Sequence, residues 1–237
     1  MQFTPLTLAL IVFELVVMVL AISFHDAAQA WAANRLGDPT GHMLGRITLN
    51  PAKHFDPWGT GISPLLSIFV FSNPLPFGWG KSVPMTYQNF RGKNSEMLAV
   101  CAGPAAQMLA AIVALIALVI LKHTVAGTTE SLDLVSLLSQ RVVVDGIGDQ
   151  MGGIFPLLLL LYLALITNLL LFVFNLLPMP FLDGGRILVH FLPYNAARAF
   201  EQYSFYFMIA FFLIGGPLLM IPFNYLVAIF NTLLSYL

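Results

Sequence analysis

Residues 5–36 read PLTLALIVFELVVMVLAISFHDAAQAWAANRL, an apolar run that contains one acid and ends in a small group of polar side chains. A helix crosses the hydrocarbon core of a bilayer with about 20 residues, so this run is long enough to span a membrane. No basic residue precedes it, and it is longer than the apolar core of a signal peptide. We therefore predict a retained membrane helix whose polar C-terminal turns lie near one membrane surface.

The composition of the whole chain is typical of a membrane protein. Of the 237 residues, 59% are hydrophobic and 9% are charged, whereas soluble domains carry roughly 25% charged residues. The net charge of −1 provides no basic face for nucleic acid, and the single Cys101 excludes a disulfide within the chain. We predict one integral membrane domain over residues 1–237, surrounded by the lipid bilayer and without a nucleic-acid partner.

Three later segments are also apolar enough to span a membrane. They cover residues 97–121, 154–177 and 203–234, and the last contains Gly215, Gly216, Pro217 and Pro222. Because proline removes a backbone donor and bends a helix, the last segment is either one kinked span or two short ones. The predicted fold class is all-α, a polytopic bundle of about four to six transmembrane spans.

The segments between the spans are richer in turn residues. Residues 37–60 and 122–152 are predicted to be extramembrane loops, the second with a helix near residues 132–144. Residues 62–71 are too short for an upright span, and residues 73–84, rich in proline and glycine, predict a small extended or hairpin element at the membrane edge. Most lysines and arginines lie outside the second loop, so we expect the first loop on the cytoplasmic side.

Three polar residues at the end of the first apolar run have helical spacing. His25 and Gln29 are four residues apart and share one helical face, with Asp26 adjacent. The pattern differs by one methylene and one imidazole from H-E-x-x-H, in which two histidines bind zinc and the acid activates water. The alternative is an ordinary polar cluster, solvated at a helix end.

A further acid follows the third predicted span. Residues 174–188 read FNLLPMPFLDGGRIL, which places Asp183 after a double-proline turn and before two glycines. A carboxylate at membrane depth is costly and usually functional. The alternative is that Asp183 caps a short helix predicted over residues 185–191.

Four blocks of sequence, taken together, point to one protein family. They are residues 23–60, 77–84 (FGWGKSVP), 101–107 (CAGPAAQ) and 168–188. In order and spacing they resemble the site-2 protease family of intramembrane zinc metallopeptidases, in its compact bacterial branch. The resemblance implies hydrolysis of a peptide bond within or beside a membrane helix, with one bound zinc ion.

The resemblance also implies roles for single residues, and the chain departs from the family pattern at two of them. His25 and Asp183 match zinc ligands. Gln29 stands where the family has its second histidine ligand, and Asp26 stands where it has the catalytic glutamate. A carboxamide is a weak donor to zinc, so the zinc ion would be held weakly or not at all. Asp26 is one methylene shorter than glutamate, and a shortened base can still act.

Three amide residues outside that motif stand at positions where the resemblance implies substrate or scaffold residues. Asn168 and Asn175 agree with the family pattern, whereas Gln107 stands where the family usually has asparagine.

The loop after the first span holds other candidates. His54, or less readily His42, is a possible substitute ligand if the loop folds back; otherwise His54 fixes hydrogen bonds within its own loop. Arg46, Lys53 and Asp56 are expected to form a solvated loop face.

Three functions remain open at this point. The first is an intramembrane zinc metalloendopeptidase that cleaves membrane-helix substrates, with Asp26 as the general base. The second is a catalytically inactive relative that binds or regulates membrane helices. The third is a transporter or channel that uses the intramembrane acids Glu14 and Asp183. In each case we expect a multi-pass protein of a bacterial cell membrane.

Overall fold

The computed structural model of the protein describes residues 5–69, 76–140, 142 and 153–237. In chain order its α-helices are α1 Pro5–Arg35, α2 Thr40–Met43, α3 Ser63–Phe69, α4 Ser95–Thr124, α5 Thr128–Ser139, α6 Phe155–Leu176, α7 Asp183–Phe191, α8 Tyr194–Gln202 and α9 Ser204–Tyr236. Short 3-10 turns lie at Pro51–Lys53 and Tyr87–Asn89, and a π-helical turn lies at Pro57–Ile62. Within these residues there is no β-strand, and the all-α prediction is confirmed.

Four helices of the described part of the chain are long and apolar enough to cross a membrane. They are Leu6–Arg35, Ser95–Thr124, Phe155–Leu176 and Gly215–Tyr236, which lie in α1, α4, α6 and α9. The chain is therefore an integral membrane protein, as predicted. Helix α9 continues through Pro217 and Pro222 as one helix, which favours one span over two short ones. Helix α3 has only seven residues and is too short to span.

Helix α6 lies at the centre of the bundle and α9 at its edge. In the most apolar stretch of α6, 72% of the residues are buried, whereas in that of α9 only 22% are buried. Fully buried leucines of α6, such as Leu158, Leu163 and Leu169, pack in the same core as Leu118 of α4 and Leu10 of α1. Helix α9 therefore presents most of its surface to the bilayer.

An extended stretch at residues 76–86, here called the edge segment, packs against the loop that follows α1. The backbone N–H of Trp79 donates to Gly59 O at 3.2 Å, and that of Lys81 donates to His54 O at 2.9 Å. A Cβ added to Gly59 would lie 2.4 Å from the carbonyl oxygen of Trp79, so only glycine allows this approach. The described part of the predicted hairpin is thus one extended strand-like chain, and residues 73–75 lie outside the described residues.

Two helices begin at other residues than the sequence predicted, and one further helix was not expected. The helix expected near residues 132–144 covers Thr128–Ser139, because the left-handed backbone of Gly127 (φ 78°) starts it earlier; residues 143 and 144 lie outside the described residues. Helix α7 begins at Asp183 itself, and the cap position is Leu182, so the capping interpretation of Asp183 is wrong. Helix α8 was not predicted.

Candidate functional site

His25 and Asp183 meet in the interior of the bundle. His25 lies ten residues before the end of α1, and Asp183 is the first residue of α7. His25 Nε2 is 2.8 Å from Asp183 Oδ2, although the two residues are 158 positions apart. Both side chains are buried. The structure therefore brings together the two distant residues that the resemblance implies as zinc ligands.

Gly103 of α4 makes room for the His25 ring. A Cβ added to Gly103 would lie 2.3 Å from His25 Nε2, far inside van der Waals contact. Pro104 continues the helix after this glycine. The small residues of block 101–107 therefore allow α4 to approach α1 at the depth of the histidine.

Asp26 is held by three cationic or potentially cationic side chains. Its Oδ1 lies 3.0 Å from His25 Nδ1. Its Oδ2 accepts from Arg46 Nη2 at 3.2 Å and lies 3.3 Å from His54 Nδ1. Since a carboxylate only accepts hydrogen bonds, His25 bonds both Asp26 and Asp183 when both its ring nitrogens carry protons. A ring nitrogen that donates to Asp183 cannot bind a metal at the same time.

Arg46 is part of this cluster, and its expected place on a solvated loop face is wrong. The side chain is 5% exposed. Besides Asp26, its guanidinium donates to the backbone oxygens of Lys81 and Ser82 in the edge segment. Arg46 thus joins the loop, the edge segment and α1. The available signal was its place inside a block that carries the resemblance, since its position in a turn-rich loop indicated the opposite.

His54 does not reach the pair formed by His25 and Asp183. Its Nε2 donates to Thr48 O at 2.8 Å, and its Nδ1 faces Asp26. Both ring nitrogens therefore have partners within the loop and at Asp26. This arrangement matches the interpretation of His54 as a loop residue that fixes local hydrogen bonds.

The amide residues point to neighbouring helices. Gln29 is 2% exposed and its Nε2 donates to Val100 O of α4 at 3.1 Å. Asn175 Nδ2 donates to Gln107 Oε1 at 3.2 Å, which links α6 to α4. Asn168 Nδ2 donates to the carbonyl of Ala164, one turn earlier in α6. Two of the three predicted scaffold residues therefore contact each other, and the third does not join them.

A cavity of about 340 Å³ opens beside the buried pair, and we call it the site cavity. It is lined by polar residues, by residues 77–80, 82 and 83 of the edge segment, and by aromatic rings of α6 and α9; its walls include His25, Asp26, Gln29, Gln107, Asn175, Asp183, Phe174 and Phe211. Its volume falls in the range of ordinary ligand sites. The candidate site residues of α1, α4, α6 and α7 therefore border one space.

Comparison with known proteins identifies the family. Peptidase family M50 matches residues 13–215. The chain belongs to peptidase family M50. This confirms the resemblance to site-2 proteases. A Bacillus subtilis (strain 168) protein named "Putative zinc metalloprotease YwhC" is 29% identical over 211 residues, covering 89% of this chain and 83% of that protein. No solved structure matches this M50 protein.

Membership in family M50 implies zinc in general, but the donors of this M50 protein do not fit a three-ligand zinc site. Among the residues that the structure describes, no group of three histidine, cysteine or acidic side chains is placed so that it could hold a metal ion. His25 and Asp183 supply two suitable donors, while the Gln29 carboxamide is bonded to Val100. Catalytic zinc sites keep three protein ligands and one open position, so one strong donor is lacking.

Proposed function

We propose that this M50 protein binds a segment of a client membrane helix in the site cavity and has lost most or all of the family's hydrolytic activity. The observation that carries the proposal is the contact of Gln29 with Val100. The Val100 carbonyl engages the amide nitrogen of Gln29, so only a neutral carboxamide oxygen, a weak donor to zinc, is available where the resemblance implies the second histidine.

The state of Asp26 supports the loss of hydrolysis. A general base must take a proton from water at hydrogen-bonding distance and release it later. In this chain Asp26 Oδ2 accepts from Arg46, and Oδ1 lies beside His25. A carboxylate that is paired with a guanidinium is a weaker base than an unpaired one. Asp26 is therefore better suited to hold the loop and the edge segment than to move protons.

The edge segment supports client binding. The backbone groups of Trp79 and Lys81 bond to the loop that follows α1. In an extended chain the backbone groups of alternate residues face opposite edges, so the N–H and C=O groups of Gly78 and Gly80 point to the edge opposite the one that Trp79 and Lys81 bond with. Both glycines line the site cavity. An unwound client segment can add to this edge as a further strand, with main-chain hydrogen bonds for affinity.

The second candidate function is hydrolysis of the client, and one observation favours it. His25 and Asp183 still face each other beside the site cavity, which is the part of the metal site that the resemblance implies.

We further propose that the protein is located in a bacterial cell membrane, in line with its Bacillus relative.

Metal analysis, cross-linking and a cleavage assay on the natural chain in liposomes separate the two functions. The client is a synthetic leucine-rich membrane helix with a glycine-proline segment that weakens one end and carries a cysteine. In a Cys101→Ser background, Ser82→Cys in the edge segment should form a disulfide with this client. Gln88→Cys, an exposed position that does not line the cavity, is the matched control.

Client binding without hydrolysis predicts cross-linking at position 82 only, no cleavage product and clearly less than one zinc per chain. Equal cross-linking at positions 82 and 88 would exclude the site cavity as the binding place. One zinc per chain together with cleavage that Asp26→Asn abolishes would establish the second function instead.

A further inference from the structure

A second cavity, of about 410 Å³, lies between α6, α9 and the end of α5. Its walls are mostly apolar, with leucine, isoleucine, methionine and phenylalanine side chains, and a few polar groups are placed among them, namely Ser139, Gln140, Tyr162, Asn224 and Asn231. Phe77 of the edge segment lines both this cavity and the site cavity. The two cavities are therefore neighbours that share the Phe77 ring in their walls, and this ring packs edge-on against Phe174 at a centroid distance of 4.4 Å.

At the end of this cavity near α5, the polar side chains already hydrogen-bond to one another. The Tyr162 hydroxyl lies 3.2 Å from Asn231 Oδ1 and 3.3 Å from Ser136 Oγ. These contacts join α6 to α9 and to α5. At its other end α9 meets α6 through Phe211, whose ring centroid is 6.0 Å from that of Phe174.

The two helices use different lengths of chain between these contacts, and the cavity lies along this stretch. Helix α6 uses 12 residues from Tyr162 to Phe174, and α9 uses 20 from Phe211 to Asn231. At about 1.5 Å per residue the rises are about 18 Å and about 30 Å. Side-chain reach and bending or tilting of α9 must absorb the difference, and Pro217 and Pro222 lie inside this stretch.

Among the polar residues that line this cavity, Asn224 is the one without a hydrogen bond to another described residue. It is exposed and makes no hydrogen bond with any residue in the described part of the chain. It lies ten residues before Leu234 in α9, whose carbonyl oxygen accepts a hydrogen bond from the Lys122 ammonium in the last turn of α4. A lysine at the end of a membrane span reaches to the membrane surface. Asn224 therefore lies about 15 Å below that surface, near the middle of a hydrocarbon core about 30 Å thick. A carboxamide in hydrocarbon is costly unless another group hydrogen-bonds to it.

We propose that this second cavity, with Asn224, docks the part of the client membrane helix that stays helical, and that it selects clients carrying a polar side chain at mid-membrane depth. The inference rests on the proposed function, since it concerns the same client. A lipid tail has no hydrogen-bonding group, and lipid headgroups lie about 15 Å away at the membrane surface. A polar side chain on a neighbouring helix can hydrogen-bond to the Asn224 carboxamide at this depth.

The position of Asn224 also sets a spacing on the client. Phe211 borders the site cavity and Asn224 lies 13 residues further along α9, a rise of about 20 Å. A client helix packed along α9 therefore places its polar residue about 13 residues from the segment that unwinds at His25 and Asp183.

Disulfide cross-linking at Ala228, an exposed residue of this cavity, tests the proposal. Ala228→Cys in the full Cys101→Ser chain is reconstituted with the synthetic client described above, now with its cysteine at mid-depth. One client version has asparagine about 13 residues from its weakened segment, and the other has leucine there. Cross-linking should be about three- to tenfold faster with the asparagine client, the range expected for one interhelical hydrogen bond.

The Asn224→Leu variant should abolish this preference while keeping its thermal unfolding midpoint, because leucine suits a lipid-exposed position. Ile229→Cys, the neighbouring exposed position outside the cavity, is the matched control and should show no preference. Equal rates for both clients, an unchanged preference in Asn224→Leu, or a disulfide between two copies of this chain as the main product would each overturn the inference. Cross-linking at Ser82→Cys separates failure of this inference from failure of the proposed function. It persists if only the docking in the second cavity is wrong, and it is lost if the protein does not bind the client at all.

Discussion

Two pairs of residues in the site differ in what determines their contacts. His25 and Asp183 lie 158 positions apart and meet at 2.8 Å only because α1 and α7 pack at one place. Asp26 and Gln29 follow His25 on the same helix, yet their side chains bond to Arg46 and Val100. The first pair depends on the packing of two helices, whereas Asp26 and Gln29 depart from the family pattern in the length and chemistry of single side chains.

This difference indicates where the site has changed. A bundle that still brings α7 to α1 has kept its packing, since a contact over such a distance is lost if any intervening helix shifts. The two altered positions, in contrast, can change without moving a helix. The deficit in this site should therefore be local and open to repair by substitution.

The largest expected effect comes from changing both altered residues. Gln29→His with Asp26→Glu should cleave the synthetic membrane helix at least about 100-fold faster than the natural chain, since misplacement by about 1 Å can cost about 100-fold. Histidine supplies the third strong zinc donor, and glutamate restores the methylene that the general base needs to reach the attacking water. Product formation in zinc-containing liposomes is the measurement. The control adds His25→Ala and should be inactive; a double variant that binds zinc without cleaving would show that the change extends beyond these positions.

The packing behind the long-range pair can be broken at Gly103. In the repaired double variant, Gly103→Ala should reduce cleavage by about 10- to 100-fold, because the new Cβ would lie 2.3 Å from His25 Nε2 and must displace the ring. Gly216→Ala is the matched control, since a Cβ there meets no atom within 4 Å. Comparable losses in both variants would mean that helix propensity, not the approach to His25, controls the effect.

A smaller effect is expected from the ligand position alone. Gln29→His should raise zinc affinity by at least about tenfold over the natural chain, the lower end of the range for perturbed metal sites. Competition with a fluorescent zinc chelator measures the affinity in detergent. Gln140→His, which adds the same imidazole far from His25, controls for nonspecific binding. An unchanged affinity would remove position 29 from the ligand set.

The smallest effect concerns Asp38, a buried residue outside the membrane spans. Burial raises the pKa of this carboxyl, but hydrogen bonds from Asn89, Thr40 and the Thr86 backbone outweigh it and lower the pKa. A carboxyl with a lowered pKa stabilises the fold above its unfolded pKa of about 3.9 and loses this contribution as the pH falls through the folded value. The thermal midpoint should therefore fall more steeply below about pH 4 in the natural chain than in Asp38→Asn. Parallel curves would assign acid sensitivity to other groups.

The sequence predicted the spans and the meeting of His25 with Asp183 for different reasons. The spans follow from composition, because a run of about 20 apolar residues is informative by itself. The meeting followed from the resemblance, since no spacing rule connects residues 158 positions apart. Arg46 was missed because burial of a loop arginine depends on the edge segment folding over it, and local sequence does not contain that information. The contact of Gln29 with Val100 likewise depends on how closely α4 approaches.

The order in which the chain is synthesised gives the Asp26 cluster another consequence. Asp183 leaves the ribosome 158 residues after His25, a delay of about 10 to 30 seconds at typical bacterial rates. Arg46 and His54 follow Asp26 by only 20 and 28 residues. The first helix therefore acquires its nearest counter-charges long before α7 exists. Arg46 and His54 are therefore available to compensate the Asp26 carboxylate while the first helix inserts, and the folded chain keeps both contacts.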